Sequence, residues 1–354
     1  MTLIVPYRSE SDYNLRKNDV RSVSGDGGWK QIAAILRCFS VPSAGPVVAR
    51  RLIVVFPDSE QIAPVREDGF GVRRVIADPR LGLIERLELA RPLASWACEQ
   101  AIRARAAYLG SVFENEFGRV LRVERTGEAL AVASAIPDGI PLSDVLAALE
   151  FKTITLQGDE LFELATAVIT AVASFHQRMG TRAHGGLTPA HIVIQRDGSA
   201  ILTGSVFAEA LQSLERNREM LWREFGLALP SSASLPRFDQ RGDVTQLGAI
   251  VLAIGIRRSL RRDEYPRGTA ELVNTVALSD DVERSARIRQ WLHDTLQLEG
   301  RVVFSSAIDA AQAFADVVPV GIETSEDVIV SLQVALQQLC GEPQVDETSH
   351  LRAS

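Results

Sequence analysis

The chain has 354 residues, 46% of them hydrophobic and 23% charged, which supports a packed core in one large bilobal unit or two small domains and excludes whole-chain disorder. Its 45 acidic residues outnumber 38 basic ones, and the net charge of -7 argues against a nucleic-acid footprint along the chain. The bases are lopsided: only Lys17, Lys30 and Lys152 are lysines, so chemistry that needs a buried lysine must use one of those three. Residues 1–28 are polar, end in Gly-Asp-Gly-Gly and read as a flexible lead-in. Residues 29–61 hold two apolar β-rich runs, IAAILRCF and RLIVVF. From 62 to 90 the pattern alternates about an Asp78-Pro79-Arg80-Leu81-Gly82 turn, which predicts a hairpin. An alanine-rich stretch over 93–111 predicts a helix, and VLRVE and ALAVASAI predict two strands joined at Thr126-Gly127.

Beyond residue 140 long helices take over. Leu161, Leu164, Val168, Val172 and Phe175 share one face of an extended helix. The loop AHGGLTPAH then leads into the strand IVI, a turn at Asp197-Gly198 and the strand AILT. Further helices are predicted over 244–256, 270–277, 283–298, 306–317 and 325–340. A β-rich front and a helical back predict an α+β protein of two lobes.

Cys38, Cys98 and Cys340 are isolated, which suggests neither a disulfide framework nor a zinc site and fits a reducing cytoplasm. The start MTLIVPYRSESDYNLRK lacks a signal-peptide apolar region. The apolar run over 244–256 is interrupted by Gln246 and stopped by Arg257 and Arg258, short of the ~18 residues of a membrane span. His176, His184 and His191 form a conceivable metal set, but loop histidines without cysteine or clustered carboxylates are ordinarily structural, so no metal is expected. Arg257, Arg258, Arg261 and Arg262 read as a solvated helix end.

The order of these signals resembles the protein kinase fold of bacterial Ser/Thr type, over roughly residues 62–318. ALAVASAIPDGIPLSDVL resembles a kinase hinge, and HGGLTPAHIVI is similar to the catalytic loop, with His184, Leu187, Pro189 and Ile192 in register. Asp243 matches the buried aspartate that supports that loop, and Arg301 stands at a structural arginine. Gly69 and Gly71 resemble a degenerate glycine-rich loop, with Arg66 and Asp68 where earlier glycines are expected. The resemblance implies a kinase-like N-lobe over 62–136, a C-lobe over 137–318 and a C-terminal helix and tail over 319–354, with 29–61 as a β-rich extension of the small lobe.

It also implies four substitutions. Glu88 falls at or near the β3 lysine position, with Glu99 as the αC glutamate, a like-charge pair in place of an ion pair. Gly186 stands at the catalytic base, His191 at the metal-binding asparagine and Gly204 at the metal-binding aspartate. Gly185 replaces the loop arginine that receives a phosphorylated activation segment. The expectation is a cytoplasmic pseudokinase, a regulatory or scaffolding module with protein partners, no cofactor, no metal, no nucleic acid and no membrane, docking or dimerising through helix 325–340. The alternative is a divergent kinase or other phosphoryl or nucleotidyl transferase that uses ATP and Mg²⁺ through a rewired site drawn from Arg66, Arg73, Arg74, Asp197 or Glu209. A third reading keeps a nucleotide in the cleft as a structural staple.

Overall fold

The computed structural model describes residues 65–112, 118–231, 235–276, 278–279, 281–317 and 326–340. The expected lead-in over 1–28, the β-rich extension over 29–61 and the polar tail lie outside the described residues.

Strands β1 (Arg66–Asp68), β2 (Gly71–Asp78), β3 (Gly82–Leu89), β4 (Val120–Thr126) and β5 (Ala129–Ala135) form an antiparallel sheet in the order β1-β2-β3-β5-β4. The β2–β3 hairpin closes where expected, because Asp78 Oδ1 accepts the backbone N–H groups of Arg80 and Leu81. Between β3 and β4 runs α1 (Trp96–Val112), three residues later than predicted, since Pro92 confines Arg91–Ala94 to a 3-10 turn.

The second lobe carries the small sheet β6 (Ile140–Pro141), β7 (Ile192–Ile194) and β8 (Ala200–Leu202) beside helices α2 (Leu142–Glu150) and α3 (Gly158–Met179). Then follow α4 (Ala208–Ser213), α5 (Arg218–Phe225), α6 (Gln240–Gly255), α7 (Thr269–Val273), α8 (Val282–Thr295), α9 (Ala307–Ala315) and α10 (Glu326–Cys340). The predicted stripe of α3 is wholly buried. Helix α6 is buried on every side from Gly242 to Gly255 and packs against α3, α8 and α9. Its apolar run therefore serves the core of this lobe, and among the described residues no helix is long and apolar enough to cross a membrane.

The short helices α4 and α5 escape the sequence reading, although α5 carries its own punctuation. Asn217 accepts the N–H of Met220 at one end, and Gly226 adopts φ +70° at the other. The helix expected at 325–340 is present as α10. Its Leu332, Leu336 and Leu339 are buried, where the helix packs against α2 and α3 of the same chain, while Val328 of the same predicted stripe is half-buried. Ile329, counted in that stripe, has a side chain outside the described set.

Helix α1 joins the lobes. Its buried Arg105 donates to Ser205 O at 3.1 Å and to Ala183 O, and pairs with Glu209 at 2.8 Å. Three acceptors from the second lobe thus hold one guanidinium of the first.

Candidate functional site

A cleft of about 310 Å³ lies between the five-stranded sheet and the second lobe. Val132 and Leu87 from the sheet, and Val193 and Val206 from below, make its apolar walls, while Arg66, Asp68, Arg73, Glu85 and Asp144 contribute charge. The β1–β2 connection shapes the inner end. Asp68 Oδ1 accepts the N–H groups of Phe70 and Gly71 at 2.8 and 3.2 Å, which folds the chain into a tight turn. Gly69 is pressed onto α5: a Cβ there would lie 1.9 Å from Glu224 O, so only glycine fits.

That turn drives Phe70 inward. The side chain is 1% exposed, with its ring centroid 4.4 Å from that of His191, 5.1 Å from Phe207 and 5.4 Å from Phe225. A Cβ on Gly186 would stand 3.7 Å from the tip of the Phe70 ring, so the ring lies directly against Gly186. Burying a phenyl ring this completely contributes roughly 1.5–3 kcal/mol, which holds the turn down.

Beside the ring sits a buried polar cluster. Arg73 Nε donates to Asp68 at 3.0 Å, Nη1 to Glu85 at 2.8 Å, and Nη2 lies 2.5 Å from His191 Nε2. His191 Nδ1 is 2.6 Å from Gly186 O, which can only accept, so Nδ1 carries the proton and Nε2 accepts from Arg73. Burial, reinforced by the neighbouring guanidinium, pushes the His191 pKa down to about 4, and the ring is neutral. Burial opposes the charge on Arg73, but Glu85 and Asp68 outweigh it and hold its pKa above the ordinary value. At the outer rim Arg66 pairs with Asp144, whose pKa burial raises despite that partner.

The loop at 184–187 is fixed from beneath by α6. Asp243 Oδ2 accepts the N–H of His184 at 2.5 Å and Nε2 of His176 at 2.9 Å, and Oδ1 accepts the N–H of Gly185 at 2.7 Å. Gln246 Oε1 accepts the N–H of Leu187 at 2.8 Å. His184 donates through Nε2 to Thr203 O at 3.0 Å, and burial lowers its pKa to about 3. Pro189 opens the 3-10 turn that carries His191. The histidines are therefore hydrogen-bonded structural groups, and among the described residues no group of three or more metal-ligating side chains is gathered.

No protein-family model matches this chain, and no curated protein matches it. Among solved structures, the Mycobacterium tuberculosis PknI kinase domain matches 75% of this chain and 98% of its own at 18% identity, with a TM-score of 0.51. A double mutant of the same domain matches with 17% identity and a TM-score of 0.50, over 75% of this chain and 97% of its own.

The fold is that of a protein kinase domain.

Three kinase positions read from the sequence meet around one point. Gly186 and His191 border the Phe70 ring, and Gly204 lies against both of them. Gly204 has φ +74°, and a Cβ there would lie 2.7 Å from His191 Cδ2, so the imidazole occupies the space a side chain at 204 would need.

Two expectations are corrected. Glu88 does not enter the cleft: strand alternation turns Glu85 and Leu87 inward and sends Glu88 to the opposite face, where it pairs with Arg74 at 3.0 Å and Arg86 at 3.8 Å. It forms no like-charge pair with Glu99, which is buried between Arg103 and Arg125. Arg301 is exposed and pairs with the equally exposed Glu299 at 3.0 Å, so it braces nothing buried. Of the cations and acids offered for a rewired site, Arg66 and Arg73 do line the cleft. Arg74 pairs with Glu88, Asp197 caps the β7–β8 turn through Ser199, and Glu209 pairs with Arg105.

Phe70 was missed as a site residue. Its apolar character inside a glycine-rich turn was a signal, since an exposed turn has no use for a phenyl ring.

Proposed function

We propose that this chain is a pseudokinase, a kinase-shaped binding module in the Ser/Thr kinase mould in which phosphotransfer has been lost. One observation carries the reading: Phe70 fills the space against Gly186 and His191, beside Gly204, where a phosphate and its metal would have to stand. Transfer of a phosphoryl group needs positioned cations, carboxylates on a metal and a group to orient the hydroxyl. Here position 186 has no side chain, position 204 has none, and His191 turns its two nitrogens to Gly186 O and Arg73. ATP with Mg²⁺ does not fit these residues, because Asp68, Glu85 and Asp144 are already engaged by arginines.

The transferase reading has one observation in its favour, the convergence of Arg66 and Arg73 on the cleft. Both are spent on carboxylates, which leaves little positive potential for a triphosphate. The test is incubation of the purified chain with labelled ATP and Mg²⁺, alongside melting with and without nucleotide. The expected result is no turnover above a heat-denatured control and no nucleotide-dependent shift in Tm. Magnesium-dependent turnover that is abolished by denaturation overturns the proposal.

A further inference from the structure

Next to the cleft, with Asp68, Ser143 and Ala190 common to both linings, a second cavity of about 200 Å³ lies between Phe70, the 187–190 loop, the end of α5 and α6. Trp222, Phe225, Ile250 and Leu260 give it apolar walls, and Gln246 joins Asp68, Ser143, Thr188 and Ser259 as its polar lining. Gln246 is 1% exposed, and from Leu247 to Gly255 the helix that follows it is apolar or small throughout. Its Oε1 is used by the Leu187 N–H, which also fixes the orientation of the amide. Its Nε2 is buried and has no hydrogen-bond partner. An amide N–H pair left unpaired in an apolar setting is unfavourable unless something supplies an acceptor.

We propose that this cavity is a binding site for a small uncharged molecule, mainly apolar, that brings one carbonyl-type acceptor to Gln246 Nε2. The apolar walls account for the body of the ligand, and the unpartnered amide for its carbonyl-type acceptor. An anion is selected against. Asp68 stands at the rim of the cavity and its cation, Arg73, is already shared among Asp68, Glu85 and His191, so an anion would lose its water without gaining a partner. The site does not depend on whether the chain transfers phosphate.

The experiment is calorimetric titration of the full chain with three probes of matched body: butyrophenone, butylbenzene and 4-phenylbutyrate. Butyrophenone is expected to bind saturably, butylbenzene at least tenfold more weakly, and 4-phenylbutyrate without saturation. Ala253→Leu adds bulk to the cavity wall and leaves Gln246 itself unchanged, and is expected to abolish butyrophenone binding. Should that variant fail to fold, nuclear Overhauser contacts between butyrophenone and the Ile250 methyls of the unmodified chain locate the ligand instead. Equal affinity for the three probes, no binding by any, or binding without contact to Ile250 overturns the proposal.

Discussion

Phe70 meets His191 edge-on, with ring centroids 4.4 Å apart and planes inclined by 72°. A residue from the turn between the first two strands thereby packs against the imidazole that follows the 184–187 loop. Removing the phenyl ring leaves a hole bordered by Phe207 and Phe225. Phe70→Ala is expected to cost roughly 3–5 kcal/mol in denaturant unfolding without creating ATP turnover. A loss under 1 kcal/mol would show that the ring is not packed as described.

His191 and Gly204 are a matched pair. Gly204→Asp alone forces a Cβ to within 2.7 Å of the imidazole at a positive φ, and a loss of roughly 2–4 kcal/mol is expected. Adding His191→Asn makes room, so the double variant should recover part of that loss, with a coupling energy of about 1 kcal/mol or more in a double-mutant cycle. Strict additivity would contradict the contact.

Two neutral buried histidines set a pH window. The folded chain holds His191 down to about 4 and His184 to about 3, both chiefly through burial, while the unfolded chain takes up these protons near 6.5. Unfolded molecules then bind more protons as pH falls, so stability is full above pH 6.5 and declines towards pH 4. At 1.36 kcal/mol per unit the loss by pH 4.5 is on the order of 5 kcal/mol. Denaturation midpoints that do not move between pH 7 and 4.5 would rule this out.

The outward direction of Glu88 makes its charge nearly irrelevant to the cleft. Glu88→Lys, the substitution that restores a lysine near the expected position, should change stability by no more than about 1 kcal/mol and give no nucleotide-dependent shift in Tm. A shift of several degrees with ATP would put the side chain inside after all.

Sequence order alone carried the architecture, because long periodic segments such as α3 and the hairpin around Asp78 bury one face whatever their neighbours do. Asp243 was legible through the resemblance to a kinase, which implied a buried aspartate beneath the catalytic loop, and the 184–185 backbone N–H groups do donate to it. The interior of the cleft was not. Whether Glu85 or Glu88 faces inward turns on a strand register, and an odd offset sends every side chain to the other face. The descent of Phe70 depends on Gly69 meeting Glu224 on a helix that lies over 150 residues later, a contact no local pattern announces.

Arg105 has a thermodynamic consequence for the chain as a whole. It sits on a helix of the first lobe, yet its hydrogen-bonding capacity is spent on Ala183, Ser205 and Glu209 of the second. Neither lobe can melt alone without stranding a buried cation or a set of buried carbonyls, each a multi-kilocalorie penalty. The lobes are thus coupled into one cooperative unit, and a scanning calorimeter should record their melting as a single peak.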